Sequence, residues 1–197
     1  CFNILITTDD DFFILVDCNF SSACDEVGER LLQYFNIFKI FRYYTPSLLK
    51  NKHAINKNLL PSSNVKDLEK DLFPSQEELH YFQIVICTLT SSSKFDRANL
   101  QRHFDFIFID ECAATTEPEV LIPILGLGCN KRDVLMSIDE MDFSKGEVFS
   151  KVVLIGDHKQ LPPVIFSEFA KKLGLGVSLM ERMMKLDRYK PKPDYDN

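Results

Sequence analysis

The chain has 197 residues, 45% of them hydrophobic, and a formal net charge of −6. That is enough apolar material for one sizeable α/β core or a large part of one. The acidic balance excludes a protein that holds nucleic acid through a broad basic surface, but not one with a narrow, local groove. Six cysteines, Cys1, Cys18, Cys24, Cys87, Cys112 and Cys129, form no CxxC pair, and several lie in apolar runs. They read as buried free thiols in a reducing compartment, with no zinc site and no disulfide-linked partner. No apolar run is long enough to cross a bilayer, and no signal-peptide pattern is present. The expectation is a soluble, cytoplasmic α/β protein without membrane contact.

In chain order, residues 1–6 are apolar and look like the end of a helix, and Asp9-Asp10-Asp11 reads as a solvated turn. Five short β-branched or aromatic runs follow, at 12–16, 37–43, 82–88, 104–109 and 151–155. Their alternation with helical patterns predicts a parallel sheet with crossover helices. Near-continuous hydrophobicity suits strands covered on both faces. After the first run, Ser22 and Asp25 have the spacing of a helix-capping pair, and Cys24, Val27, Leu31 and Tyr34 recur at helical intervals. Residues 48–78 are polar and broken by Pro61 and Pro74, which predicts weak helices and loops over one sheet edge. Residues 130–150 read as a surface insertion. Ser178 with Glu181 opens a late helix carrying Leu179, Met180, Met183 and Met184, and residues 190–197 form a polar tail. Phe35, Phe38, Phe41, Phe106 and Phe108 fall in strand or helix patterns and are expected in the core. His53, His80 and His103 have no paired ligand spacing.

Two strand ends carry chemistry. The run that finishes Phe108-Ile109 stops abruptly at Asp110-Glu111. In open α/β sheets ligands bind outside the carboxyl ends of strands, so two carboxylates stand at the mouth of a site. One acid can hold a hydrated magnesium ion against phosphates, and the other can orient or deprotonate the attacking water. Alone, an Asp-Glu pair after a strand is common and reads first as the start of a surface loop. The last strand runs into Gly156-Asp157-His158-Lys159-Gln160-Leu161-Pro162-Pro163. Gly156 lets the backbone turn tightly beside a ligand. Asp157 and Gln160 then project polar groups from the same edge, where Gln160 can hydrogen-bond a terminal phosphate or the attacking water.

Asp110-Glu111-Cys112-Ala113 resembles a Walker B box, and residues 156–163 resemble the coupling motif that follows it in superfamily 1 RNA helicases of the up-frameshift-like group. Glu117-Pro118-Glu119 and residues 174–182 are similar to the Armitage branch, the Moloney-leukaemia-virus-10-like helicases associated with small-RNA silencing. Residues 22–27 resemble that family's first RNA-contacting motif and residues 86–91 a later one. The resemblance implies a P-loop, RecA-like, mostly parallel doubly wound α/β fold, with the present chain covering part of a first motor domain (1–190) and a tail (191–197). It implies ATP and magnesium as cofactors and single-stranded RNA as partner, with small-RNA silencing proteins as further partners. Asp110 would bind magnesium, Glu111 would be the general base, Gln160 would sense the γ-phosphate, and Asp157 would support that loop. Ser21, Ser22, Thr88 and Ser91 would lie near the RNA backbone, although each also reads as a helix cap or loop hydroxyl.

The chain departs from the family at several places. The GxxxxGK[ST] phosphate loop is expected upstream of Cys1 and a second RecA-like domain downstream, so the chain alone is expected to turn over no ATP. Asn19-Phe20-Ser21 stands where Pro-Ser-Asn is usual, Ala114 where Gln is common, and His158 where Pro is frequent. A non-catalytic relative with the same fold and a DNA helicase of the same superfamily are the rival readings.

Overall fold

A computed structural model describes residues 12–66, 73–97, 103–128 and 150–189. All five apolar runs form strands: β1 (Ile14–Cys18), β2 (Ile40–Arg42), β3 (Ile84–Thr88), β4 (Phe106–Asp110) and β5 (Lys151–Leu154). They build one sheet in the order β2-β3-β1-β4-β5, every neighbouring pair parallel. The inner strands β3, β1 and β4 are covered on both faces, which is why they read as unbroken apolar runs.

The helices are α1 (Ser21–Leu31), α2 (Gln76–Leu79), α3 (Leu89–Arg97), α4 (Glu117–Leu127), α5 (Glu168–Lys172) and α6 (Leu179–Met184). The chain leaves β1 in one direction across the sheet, to β2, and returns in the other through β3 to β4 and β5. With right-handed crossovers, opposite directions put the connections on opposite faces. So Cys24 and Leu31 of α1 pack against Val16, Ile86 and Phe108 on one side. Leu79 of α2, Phe95 of α3, and Val120 and Leu127 of α4 pack against Leu15, Val85 and Ile107 on the other. The result is the doubly wound, P-loop-NTPase-like α/β arrangement. At the far end, Ser178 Oγ accepts from Glu181 N at 3.1 Å, capping α6 as its spacing predicts.

Several local expectations are corrected. The N-cap of α1 is Phe20, with extended backbone and no side-chain cap, so Ser22 and Asp25 are not a capping pair. Asp25 is drawn instead to Arg42 of β2, which is buried. Arg42 donates from Nε to Asp25 Oδ1 at 2.7 Å, from Nη2 to Ser21 Oγ at 2.7 Å and to Ser21 O at 3.0 Å, and from Nη1 to the Tyr43 carbonyl. Its guanidinium also lies 4.2 Å from the centre of the Tyr44 ring. One cation therefore bolts the first turn of α1 to the sheet. Residues Ile37–Lys39 form a 3-10 turn, so β2 is shorter than the run 37–43. Phe38 is 75% exposed and Tyr34 is also exposed, neither in the core.

The polar region does cover a sheet edge, and it does so with short 3-10 turns at Pro46–Lys50, Lys52–Ala54 and Leu60–Ser62. Ser63 bridges to Arg42 of β2, and the Ser62 hydroxyl donates to the Ile40 carbonyl. The side-chain amide of Asn64 accepts from Tyr44 N at 2.7 Å and donates to Tyr44 O at 2.9 Å. An asparagine side chain thus replaces a neighbouring strand and satisfies both backbone groups of a buried residue. The helix end at 1–6, the Asp9–Asp11 turn, the insertion apart from Ser150, and the tail lie outside the described residues. Among the described residues Cys18, Cys24, Cys87 and Cys112 are free and buried, and no helix is long and apolar enough to cross a membrane.

Candidate functional site

Asp110 is the last residue of β4, and Glu111 follows in a left-handed conformation, φ 55° and ψ 31°. A non-glycine residue held there is strained by roughly 1–3 kcal/mol and must be restrained by its surroundings. The restraints are visible. Glu111 N donates to Asp110 Oδ1 at 3.0 Å, and the Glu111 carbonyl accepts from Ala114 N at 3.1 Å and Thr115 Oγ1 at 3.2 Å. Cys112 N donates to Ile155 O at 3.0 Å, so the turn after β4 is stitched to the turn after β5. This aims the exposed Glu111 outward from the carboxyl edge of the sheet.

The loop after β5 meets it there. A Cβ on Gly156 would fall 3.1 Å from Ala113 N and 3.3 Å from Cys112 N, so only glycine lets the two turns approach this closely. Asp157 accepts from Lys159 N at 2.9 Å and from Gln160 Nε2 at 3.2 Å. The Lys159 N–H, then the Gln160 amide, hold the Asp157 carboxyl below its usual range. Asp157 is thereby a positioning group that fixes the Gln160 side chain. Glu111, Ala113, Ala114, Asp157, Lys159, Gln160 and Leu161 line one open cleft of about 490 Å³. Residues separated by roughly fifty positions are thus brought to one place.

The predicted hydroxyls gather at the neighbouring part of the same edge. Cys18 pairs in register with Thr88 on one side and with Asp110 on the other. Thr88 Oγ1 and Ser91 Oγ are 2.8 Å apart and bond each other, with Ser91 buried. Ser21 is committed to Arg42, whereas Ser22 is exposed on the first turn of α1. Of the four, Ser22 is free to meet a ligand directly, Thr88 is half-buried, and Ser21 and Ser91 are structural as they stand.

Comparison with known proteins adds a second line. An AAA domain family model matches residues 49–136, which include the acid pair. The mov-10-B.1 protein of Danio rerio is 36% identical over 182 residues, 90% of this chain and 16% of that protein. MOV-10 of Gallus gallus is 34% identical over 88% of this chain and 17% of its own length. The RNA helicase Mov10l1 of Homo sapiens is 37% identical over 55% of the chain and 8% of its own. The chain belongs to the Mov10-like branch of the up-frameshift-like superfamily 1 helicases. It spans about a sixth of the length of the first two relatives.

Within this Mov10-like chain, the described residues gather no cluster of three or more His, Cys, Asp or Glu. A cage made wholly of protein ligands is therefore not what the edge provides. It provides two adjacent carboxylates that, among the described residues, pair with no cation. Hard oxygen donors in that number suit magnesium, which is bound through one or two carboxylates together with water and phosphate oxygens. The donor set fits a magnesium ion.

One residue of this edge escapes sequence reading. Asp17, inside β1, is fully buried; its Oδ1 accepts from the Cys87 thiol at 2.8 Å and its Oδ2 has no partner. Burial pushes its carboxyl well above the usual range, against the lowering effect of the Cys87 bond. An acid directly after the apolar run 12–16 was the available signal.

Proposed function

We propose that residues 1–190 form part of the first RecA-like motor domain, with 191–197 a polar tail, of an ATP-dependent RNA helicase. The whole protein couples ATP hydrolysis to translocation along single-stranded RNA, in the cytoplasm, in RNA silencing or surveillance together with small-RNA silencing proteins. The observation that carries this reading is the single cleft in which Glu111 at the end of β4 faces the Asp157–Gln160 loop after β5. Asp110 would hold magnesium, which neutralises phosphate charge when bound. Glu111 takes the proton of the attacking water, and its restrained left-handed backbone keeps the carboxylate aimed at the cleft. Gln160, held by Asp157, donates to a γ-phosphate oxygen or positions that water without adding charge. The first turn of α1, with Ser21 and Ser22, and the β3–α3 junction, with Thr88 and Ser91, lie beside this cleft and form the RNA face, on which Ser22 and Thr88 meet the RNA while Ser21 and Ser91 hold the face in shape.

The test separates the two acids in the full-length protein. Glu111→Gln keeps the size of the side chain but removes the base, so ATP still binds while hydrolysis falls by ~10²-fold or more. Asp110→Asn weakens magnesium-dependent binding of an ATP analogue. If both variants bind and hydrolyse like the wild type, the acids only begin a loop. Comparing stimulation by RNA and by DNA of equal length decides the sugar preference.

A further inference from the structure

We infer that Phe20 is a base-stacking platform for a single-stranded nucleic acid on the face formed by the β1–α1 loop and the β3–α3 junction. The inference rests on the RNA reading above and names a contact of that face. Phe20 is 62% exposed at the point where β1 turns into α1, in extended backbone with φ −119° and ψ 148°. Among the described residues its ring meets no other aromatic ring. It serves no visible structural purpose: the N-cap position it occupies favours a small polar side chain, and Phe20 provides no cap.

The surroundings give that ring a use. Cys18 is in register with Thr88, so the Asn19-Phe20 step leaves the sheet beside the junction of β3 and α3. Both segments are neutral: residues 19–23 and 88–93 hold no lysine or arginine. The nearest cation in sequence, Lys94, is turned to the Tyr43 hydroxyl and ring, and Arg42 is buried under α1. Among the described residues these two segments thus offer no unpaired cation from which counterion release could draw affinity. Stacking on an aromatic is the remaining strong contact available to a strand of any sequence, because every base has a π-face. The neutral hydroxyls of Ser22 and Thr88 then contribute backbone hydrogen bonds around it. Losing one such stack costs an affinity factor of roughly ten.

The chain contains no tryptophan, so Phe20→Trp installs a single fluorescent reporter at the proposed contact. The full-length protein is titrated with a labelled decauridylate and with an abasic decamer of the same backbone, reading label anisotropy together with the indole emission that the substitution adds over the unsubstituted protein. Phe38→Trp, 75% exposed before β2, serves as the control. The expected result is saturable quenching of the indole at position 20 by the uridylate, none by the abasic strand, and none at position 38. Phe20→Ser should weaken uridylate binding about tenfold and leave the abasic strand unaffected. Binding without quenching, or unchanged or tighter binding by Phe20→Ser, overturns the role of Phe20. No anisotropy change with either oligomer up to millimolar protein overturns the RNA face itself, and with it this inference.

Discussion

Asp17→Asn should stabilise the chain, and increasingly so as pH rises. In the folded state the Asp17 carboxyl is fully buried, satisfied at one oxygen by the Cys87 thiol and orphaned at the other. Burial, assisted by nearby Cys24, raises its pKa, while the unfolded chain titrates it near ~3.9. Below that unfolded value both states are protonated and the fold carries no ionisation penalty. Above it the unfolded state gives up its proton while the folded state retains one. Each pH unit between the unfolded and folded values then removes ~1.4 kcal/mol of stability. Asparagine keeps the shape and an acceptor for the Cys87 thiol and does not titrate. Its Nδ2 inherits the orphaned position, so some cost of about 1–3 kcal/mol for an unmade bond remains in both proteins. Urea unfolding of wild type and variant, at pH steps from 4.5 to 8, isolates the ionisation effect as a difference that widens with pH. Asp17→Val, which removes the orphan as well, should gain further at neutral pH. Parallel curves across the whole range would refute the reasoning, because they would mean that Asp17 ionises in the folded protein as readily as in the unfolded one.

Arg42→Ala leaves Asp25 half-buried and uncompensated and releases Ser21 and the Tyr43 carbonyl, a loss of roughly 3–5 kcal/mol in the urea midpoint analysis. Arg42→Lys should recover only part of that, since an ammonium cannot reach four acceptors on three residues as the planar guanidinium does. Gly156→Ala forces a methyl against Ala113 N and Cys112 N and should separate the two turns. Nucleotide-analogue affinity of the full-length protein should fall with it, by about tenfold or more, while the thermal midpoint moves little.

What could be read from the sequence follows a physical division. Buried parallel strands betray themselves by composition, so β1 to β5 were all visible, and so was the Ser178 cap, whose partner lies three residues away. The acids and the Asp157–Gln160 loop were legible because both follow apolar runs, and strands in a parallel sheet end at one edge. What failed depended on distant partners. Asp25 looked like half of a cap until Arg42, 17 residues on, claimed it. Phe38 looked like core because 37–43 looked like a single strand, whereas the 3-10 turn rotates the ring outward. Asn64 sits in a polar stretch that gives no hint of its twofold bond to Tyr44. No local pattern could have announced the Asp25 or Asn64 contacts, whereas Asn36, whose side chain accepts from Phe38 N, was a local sign of the 3-10 turn.

The two margins of the sheet are finished differently. Along β2 the hydrogen-bonding groups are taken up by Ser62, Ser63 and Asn64. Along β5, among the described residues, no strand follows; Val152 is exposed, and so are Leu161, Val164, Phe166 and Phe169 further along the chain. An open margin of this kind is where another strand adds itself. Because serine and asparagine side chains already occupy the β2 margin, a strand supplied from elsewhere in the full-length protein would join the described sheet along β5 and extend it on that side alone.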